Sequence, residues 1–137
     1  MKKKFTNEEE ATIAFLAWSA GHNIDDISEE IKNAMYPTIS QMPEISKRMC
    51  YRLGSIMMKL TDTYKNNDKF LEMNDKEDEI SYLKNLAKLC VKDLELNEEL
   101  NEMYLDFAYI FIGILYEKNV ANDLREQMKL IVAKESN

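Results

Sequence analysis

The chain has 137 residues, 45% hydrophobic and 31% charged, which suffices for one domain or two small ones with a real core and no metal or disulfide staples. Eighteen Lys and Arg against twenty-five Asp and Glu leave a net charge of −7, which excludes a protein that binds nucleic acid with its whole surface. Three Gly and two Pro are too few turn-formers for an all-β sandwich or a glycine-built nucleotide site, so the expected fold class is all-α.

Met1-Lys2-Lys3-Lys4 opens like a signal peptide, but Glu8, Glu9 and Glu10 stand where an apolar run belongs, and a cytoplasmic protein is expected. Thr6 is the N-cap of a first helix, with Glu9 at the capping-box position three residues on. Ile13, Leu16, Ala17 and Ala20 form its apolar stripe, Phe15 and Trp18 widen it, and Gly21 stops it. Asn23 caps a second helix in which Ile24, Ile27, Ile31 and Met35 repeat at helical spacing, and Pro37 ends that helix or follows its end. Pro43 suits the first turn of a third helix, whose buried face is Ile45, Met49, Leu53, Ile56 and Leu60. Residues 1–61 therefore form an N-terminal tri-helical unit.

From Thr61 to Glu79 the pattern weakens into polar and acidic residues, and 62–79 is expected to be a linker or irregular connection with a short turn around Phe70, Leu71 and Met73. Residues 80–137 form a three-helix acidic region. Its first helix repeats Ile80, Leu83, Leu86, Ala87, Cys90, Val91 and Leu94. The next runs from Glu98 to Glu117 and is nearly apolar all round from Phe107 to Tyr116, which fits either the centre of a monomer core or the seam of a homodimer. That apolar stretch is ten residues, too short to span a bilayer, so no membrane partner is expected. The last helix carries Val120, Leu124, Met128, Ile131 and Val132.

Catalytic and cofactor chemistry finds few residues. His22 is the one histidine and neighbours a turn glycine, and Cys50 and Cys90 stand alone, so no zinc site forms from them. The two cysteines read as buried free thiols. Gly21, Gly54 and Gly113 are isolated and make no phosphate-cradling loop, and the acids from Asp75 to Glu79 lack the rhythm of a calcium loop. Neither an enzyme, nor a metal, nor a cofactor is expected.

The third helix is different. Lys47, Arg48, Tyr51, Arg52, Ser55 and Lys59 fall at offsets 0, 1, 4, 5, 8 and 12, on one face opposite Ile45, Met49, Leu53 and Ile56. Two of the three arginines of the chain lie there, and no acid follows Glu44 within that run. Arginine presents a planar fork to phosphates or guanine edges, and tyrosine and serine donate to phosphate oxygens. Such a face fits the major groove of DNA, and the same pattern also arises on a merely solvated basic helix. Lys2, Lys3 and Lys4 are either a phosphate-binding arm or a basic tail.

Phe5-Thr6-x-Glu8-Glu9 resembles the opening of Myb/SANT-like domains, with Phe5 where they usually have tryptophan. Gly21-x-Asn23-x-x-Asp26-Ile27-Ser28-x-x-Ile31 resembles their turn and second helix, and Arg48-Met49-x-x-Arg52-Leu53 their third. The resemblance covers residues 5–53, and it departs from the compact domains in a longer connection between Ile31 and the third helix that includes Tyr36-Pro37. It implies a tri-helical helix-turn-helix that docks its third helix in DNA; some SANT-like domains bind proteins instead.

Two functions are therefore expected as alternatives. One is a small DNA-binding regulator, homodimeric through its C-terminal helices. The other is a non-enzymatic adaptor or inhibitor, of the kind a mobile element carries, acting on a basic protein partner through its acidic half. Residues 1–66 carry nine cations and nine acids, whereas 67–137 carry nine and sixteen, and this asymmetry motivates the second. In that case Glu95, Glu98 and Glu102 would be the working residues.

Overall fold

Thr6 opens the structure as its sequence context dictates. Its Oγ1 accepts from the Glu9 amide at 3.1 Å while Glu9 Oε1 accepts from the Thr6 amide at 2.9 Å, so two of the orphan donors of a helix start are satisfied reciprocally. The computed structural model describes residues 4–117 and 121–136, and every regular element among them is helical. The helices are α1 (Asn7–Ser19), α2 (Glu29–Ser40), α3 (Glu44–Asn66), α4 (Asp68–Leu71), α5 (Lys76–Lys92), α6 (Glu98–Tyr116) and α7 (Ala121–Glu135). They divide into two compact units, residues 1–58 and 59–137, with the boundary inside α3.

In the first unit, α1 ends at Gly21, which adopts φ +99°. The Gly21 amide donates to Trp18 O and the His22 amide to Ala17 O, both at 2.9 Å, closing the carbonyls that a helix end leaves open. The buried set of α1 is Ala11, Thr12, Ile13, Ala14, Phe15 and Ala17. This corrects the expected stripe: Leu16 is half-buried and Ala20, at the C-cap, is exposed. Small side chains let neighbours approach α1 from several directions, so burial wraps the helix rather than following one face. Thr12 is satisfied there by donating to Glu8 O at 2.7 Å.

The second helix starts later than expected. Asn23 makes no side-chain cap and heads only a 3-10 turn, Ile24–Asp26. Ser28 is the true cap, accepting from the Ile31 amide at 3.3 Å, with Glu29 and Glu30 stabilised at the positive end of the helix dipole. Pro37 neither ends nor follows α2, which runs through it to Ser40. A proline deletes one backbone bond and costs about 3 kcal/mol in a helix interior, and burial of Ile39 beyond it acts against that cost. Across α1 and α2, Lys32 Nζ lies 3.4 Å from both Glu10 and Glu29, and the Phe5 and Tyr36 rings are 5.6 Å apart.

Residues 41–43 connect α2 to α3. Pro43 precedes the helix rather than sitting in its first turn, and its carbonyl accepts from the Lys47 amide at 3.0 Å. Of the expected buried face, Met49, Leu53, Ile56 and Leu60 are buried, while Ile45, in the first turn, is 38% exposed. Gly54 is where α3 meets α1: a Cβ there would fall on the Ala11 carbonyl oxygen and lie 3.3 Å from Phe15 Cβ.

In the second unit, the stretch expected to be a linker is largely helical. Residues 62–66 complete α3, and Asn67 caps α4 by accepting from the Phe70 amide at 2.9 Å. Phe70 is 3% exposed and sits among Tyr64 and Tyr82, with ring centroids at 5.7 and 6.1 Å. Polar residues around one aromatic anchor therefore hold a fixed path. Asp75 then caps α5, accepting from Glu77 and Asp78 amides. Leu83, Ala87 and Val91 are its buried line, with Ile80, Leu86, Cys90 and Leu94 half-buried.

Asn97 caps α6, which packs against both α5 and α7 and buries Tyr104, Phe107, Ala108, Phe111 and Ile112. Helix α6 is thus central to its unit. In α7, Leu124 and Ile131 are fully buried, Met128 is half-buried, and Val132 is 43% exposed, so the expected face is narrower; Val120 lies outside the described residues. Gln127 Nε2 donates to Met103 O at 3.1 Å and Lys134 pairs with Glu99 at 2.6 Å, tying α7 to α6. No helix among the described residues is long and apolar enough to cross a membrane.

Candidate nucleic-acid interface on α3

At 3.6 residues per turn, each step along α3 rotates about 100°. Lys47, Tyr51, Ser55, Arg48 and Arg52 then lie within an arc of about 140°, and Met49, Cys50, Leu53, Gly54, Ile56 and Met57, all buried, fill the opposite arc. The sequence spacing and the observed burial agree over these residues. Lys59 continues the basic spacing and is exposed, but it is the first residue of the second unit. Lys2 and Lys3 lie outside the described residues, and Lys4 is exposed.

Within the first unit the face is graded. Arg48 is exposed, whereas Tyr51, Arg52 and Ser55 are half-buried, as long amphipathic side chains are when their stems cover apolar surface. Lys47 lies 3.7 Å from Glu44, one turn earlier, so the first turn of α3 pairs a cation with an acid. Glu44 favours the helix start through the dipole and opposes any anion arriving there.

Nucleophilic chemistry has weak support from the thiols. Burial pushes the Cys50 thiol up to about 11, and burial also raises Cys90, against the lowering effect of Lys59. Neither is a ready thiolate near neutral pH. Cys50 is buried as expected, while Cys90 is only half-buried. His22 is exposed on its turn.

A second feature escaped the periodicity. Between α5 and α6 runs a groove of about 260 Å³ whose ends are marked by lysines over tyrosines: Lys76 Nζ is 5.5 Å from the Tyr116 ring centre and Lys84 Nζ 5.2 Å from that of Tyr109. The Tyr116 hydroxyl donates to Glu79 Oε1 at 3.4 Å, and burial, then the Glu79 charge, push its pKa up to about 12. Tyr109 and Tyr116, seven residues apart with Ile112 and Gly113 between them, were the available sign of a groove-lining face. Compared with known families, characterised proteins and solved structures, the chain matches none.

Proposed function

We propose that this chain is a small DNA-binding regulatory protein that offers α3 to the major groove. The observation that carries this reading is the division of α3 into a buried apolar arc and an opposed arc of Lys47, Arg48, Tyr51, Arg52 and Ser55. The three-residue connection between α2 and α3 has the length used in helix-turn-helix units, and the Myb/SANT-like resemblance of residues 5–53 points the same way. In this role Lys47 and Arg48 pair with phosphates near the start of the helix, Arg52 reaches phosphate or a guanine edge, and Tyr51 and Ser55 donate to phosphate oxygens.

Such binding is dominated by counterion release. Three cations on phosphates give an expected log–log salt slope of about −2.7. The test is fluorescence anisotropy of a labelled random-sequence duplex, titrated from low to physiological salt, with the Arg48→Ala/Arg52→Ala variant alongside. Salt-sensitive binding that disappears in the variant supports the reading. Absence of binding at low salt, or equal binding by the helical double variant, would remove it.

A further inference from the structure

The second unit carries seventeen Asp and Glu against eleven Lys and Arg, so its cations have carboxylates in excess. Lys76 and Lys84, like Lys69, Lys88 and Lys92, make no ion pair among the described residues, and what sets the two apart is their place at the groove. They stand two turns apart on α5, about 12 Å along its axis, each over a tyrosine of α6. Between them the groove is apolar: Ile80 lines α5, Ile112 is buried on α6, and Gly113 presents no side chain.

At about 260 Å³ the groove is smaller than the sites that enclose small-molecule ligands, and it lies open along two helices. Its walls are helical, with backbone groups already bonded, so they offer no ladder to an extended chain. A helix, which satisfies its own backbone, suits such walls better than an extended chain does. We infer that the α5–α6 groove receives an amphipathic α-helix of a protein partner, bearing two carboxylates about two turns apart and an aliphatic residue midway between them. The carboxylates meet Lys84 and Lys76, and the aliphatic side chain enters over Gly113. The two ends are unequal. Glu79 bonds Tyr116 and Glu117 lines the groove beside Lys76, so they offset that cation, whereas the Lys84 end has no lining carboxylate. The inference concerns the second unit and stands apart from the DNA reading.

The experiment is selection of a displayed single-helix library, randomised on its surface, on the full chain, with binders then measured against Lys84→Glu, Lys76→Glu and Lys84→Arg. Both lysines are exposed, so the variants are expected to fold, and circular dichroism checks it. Enriched helices should carry Asp or Glu at positions eight apart around a Leu, Ile or Met, and should shift the Gly113 amide resonance. Their affinity should fall about tenfold with Lys84→Glu, about threefold with Lys76→Glu, and little with Lys84→Arg. No enriched binder, binders indifferent to Lys84→Glu, or binders that leave Gly113 unmoved would overturn the inference.

Discussion

Gly54 and Gly21 show two different reasons for the same residue. At Gly54 the obstacle is main chain: an added Cβ would meet the Ala11 carbonyl oxygen and lie 2.8 Å from its carbon, so helices α1 and α3 must separate. At Gly21 a Cβ meets nothing within 4 Å, and only the left-handed backbone at φ +99° resists it. Gly54→Ala should lower stability by about 2–3 kcal/mol and Gly21→Ala by about 1 kcal/mol, read from urea midpoints. Ala11→Gly should fail to rescue Gly54→Ala, because the clashing atom is not in the Ala11 side chain. Rescue would show that the two helices do not meet backbone to Cα.

Cys50 and Tyr116 set a window at alkaline pH. Both pKa values are raised in the folded state, Cys50 from 9.0 to about 11 and Tyr116 from 10.0 to about 12. A group with a raised folded pKa contributes stability that is complete below its unfolded pKa and is lost as pH climbs through the folded one. Stability should therefore decline from about pH 9 to 12. Cys50→Ala should remove the part between about pH 9 and 11 and Tyr116→Phe the part between about pH 10 and 12, followed by chemical denaturation at stepped pH.

At the scale of elements, α4 depends on one side chain. Phe70 is the buried member of that single turn, in contact with Tyr64 and Tyr82, and Phe70→Ala should cost about 3–5 kcal/mol. Asn67→Ala, which removes only the cap, should cost about 1 kcal/mol. Thermal melts of the two variants would separate anchor from cap; equal small losses would mean that α4 is held by something else. This dependence also explains what was legible in the sequence. Where structure repeats at helical period or ends in a local cap, as with Thr6 and Glu9, Gly21, and the apolar line of α3, residue spacing suffices. It fails where a tertiary contact decides. Residues 62–79 look like a linker because a lone Phe70 has no period, Pro37 looks like a stop because its local cost is visible and the burial of Ile39 is not, and Asn23 has the side chain of a cap although Ser28 makes the capping bond. The same division applies to the candidate sites. The arc from Lys47 to Ser55 belongs to one helix and follows from offsets, whereas the pairs Lys76–Tyr116 and Lys84–Tyr109 join two helices and do not.

For the whole molecule, the proposed function asks how a chain of net charge −7 would approach a polyanion. Screening gives the physical answer: at physiological ionic strength the Debye length is about 8 Å, so exposed acids farther than that from a phosphate contribute little, while cations in direct contact displace counterions. Glu95, Glu98 and Glu102 are exposed at the α5–α6 turn and the start of α6, in the second unit, and none belongs to the α3 arc. If α3 reads DNA, replacing all three by Gln should leave binding intact at physiological salt and strengthen it modestly at low salt, where their field reaches farther. Glu44→Gln should act differently. Glu44 stands one turn from Lys47 on α3, so under the same reading its removal should raise affinity at both salt concentrations, by roughly threefold, as a cation is released toward phosphate. Anisotropy titrations of the two variants at two salt concentrations distinguish the cases. A triple-Gln variant that lost binding would transfer the working surface to the acidic half, and a Glu44→Gln variant indistinguishable from the parent would mean that the first turn of α3 does not meet phosphate.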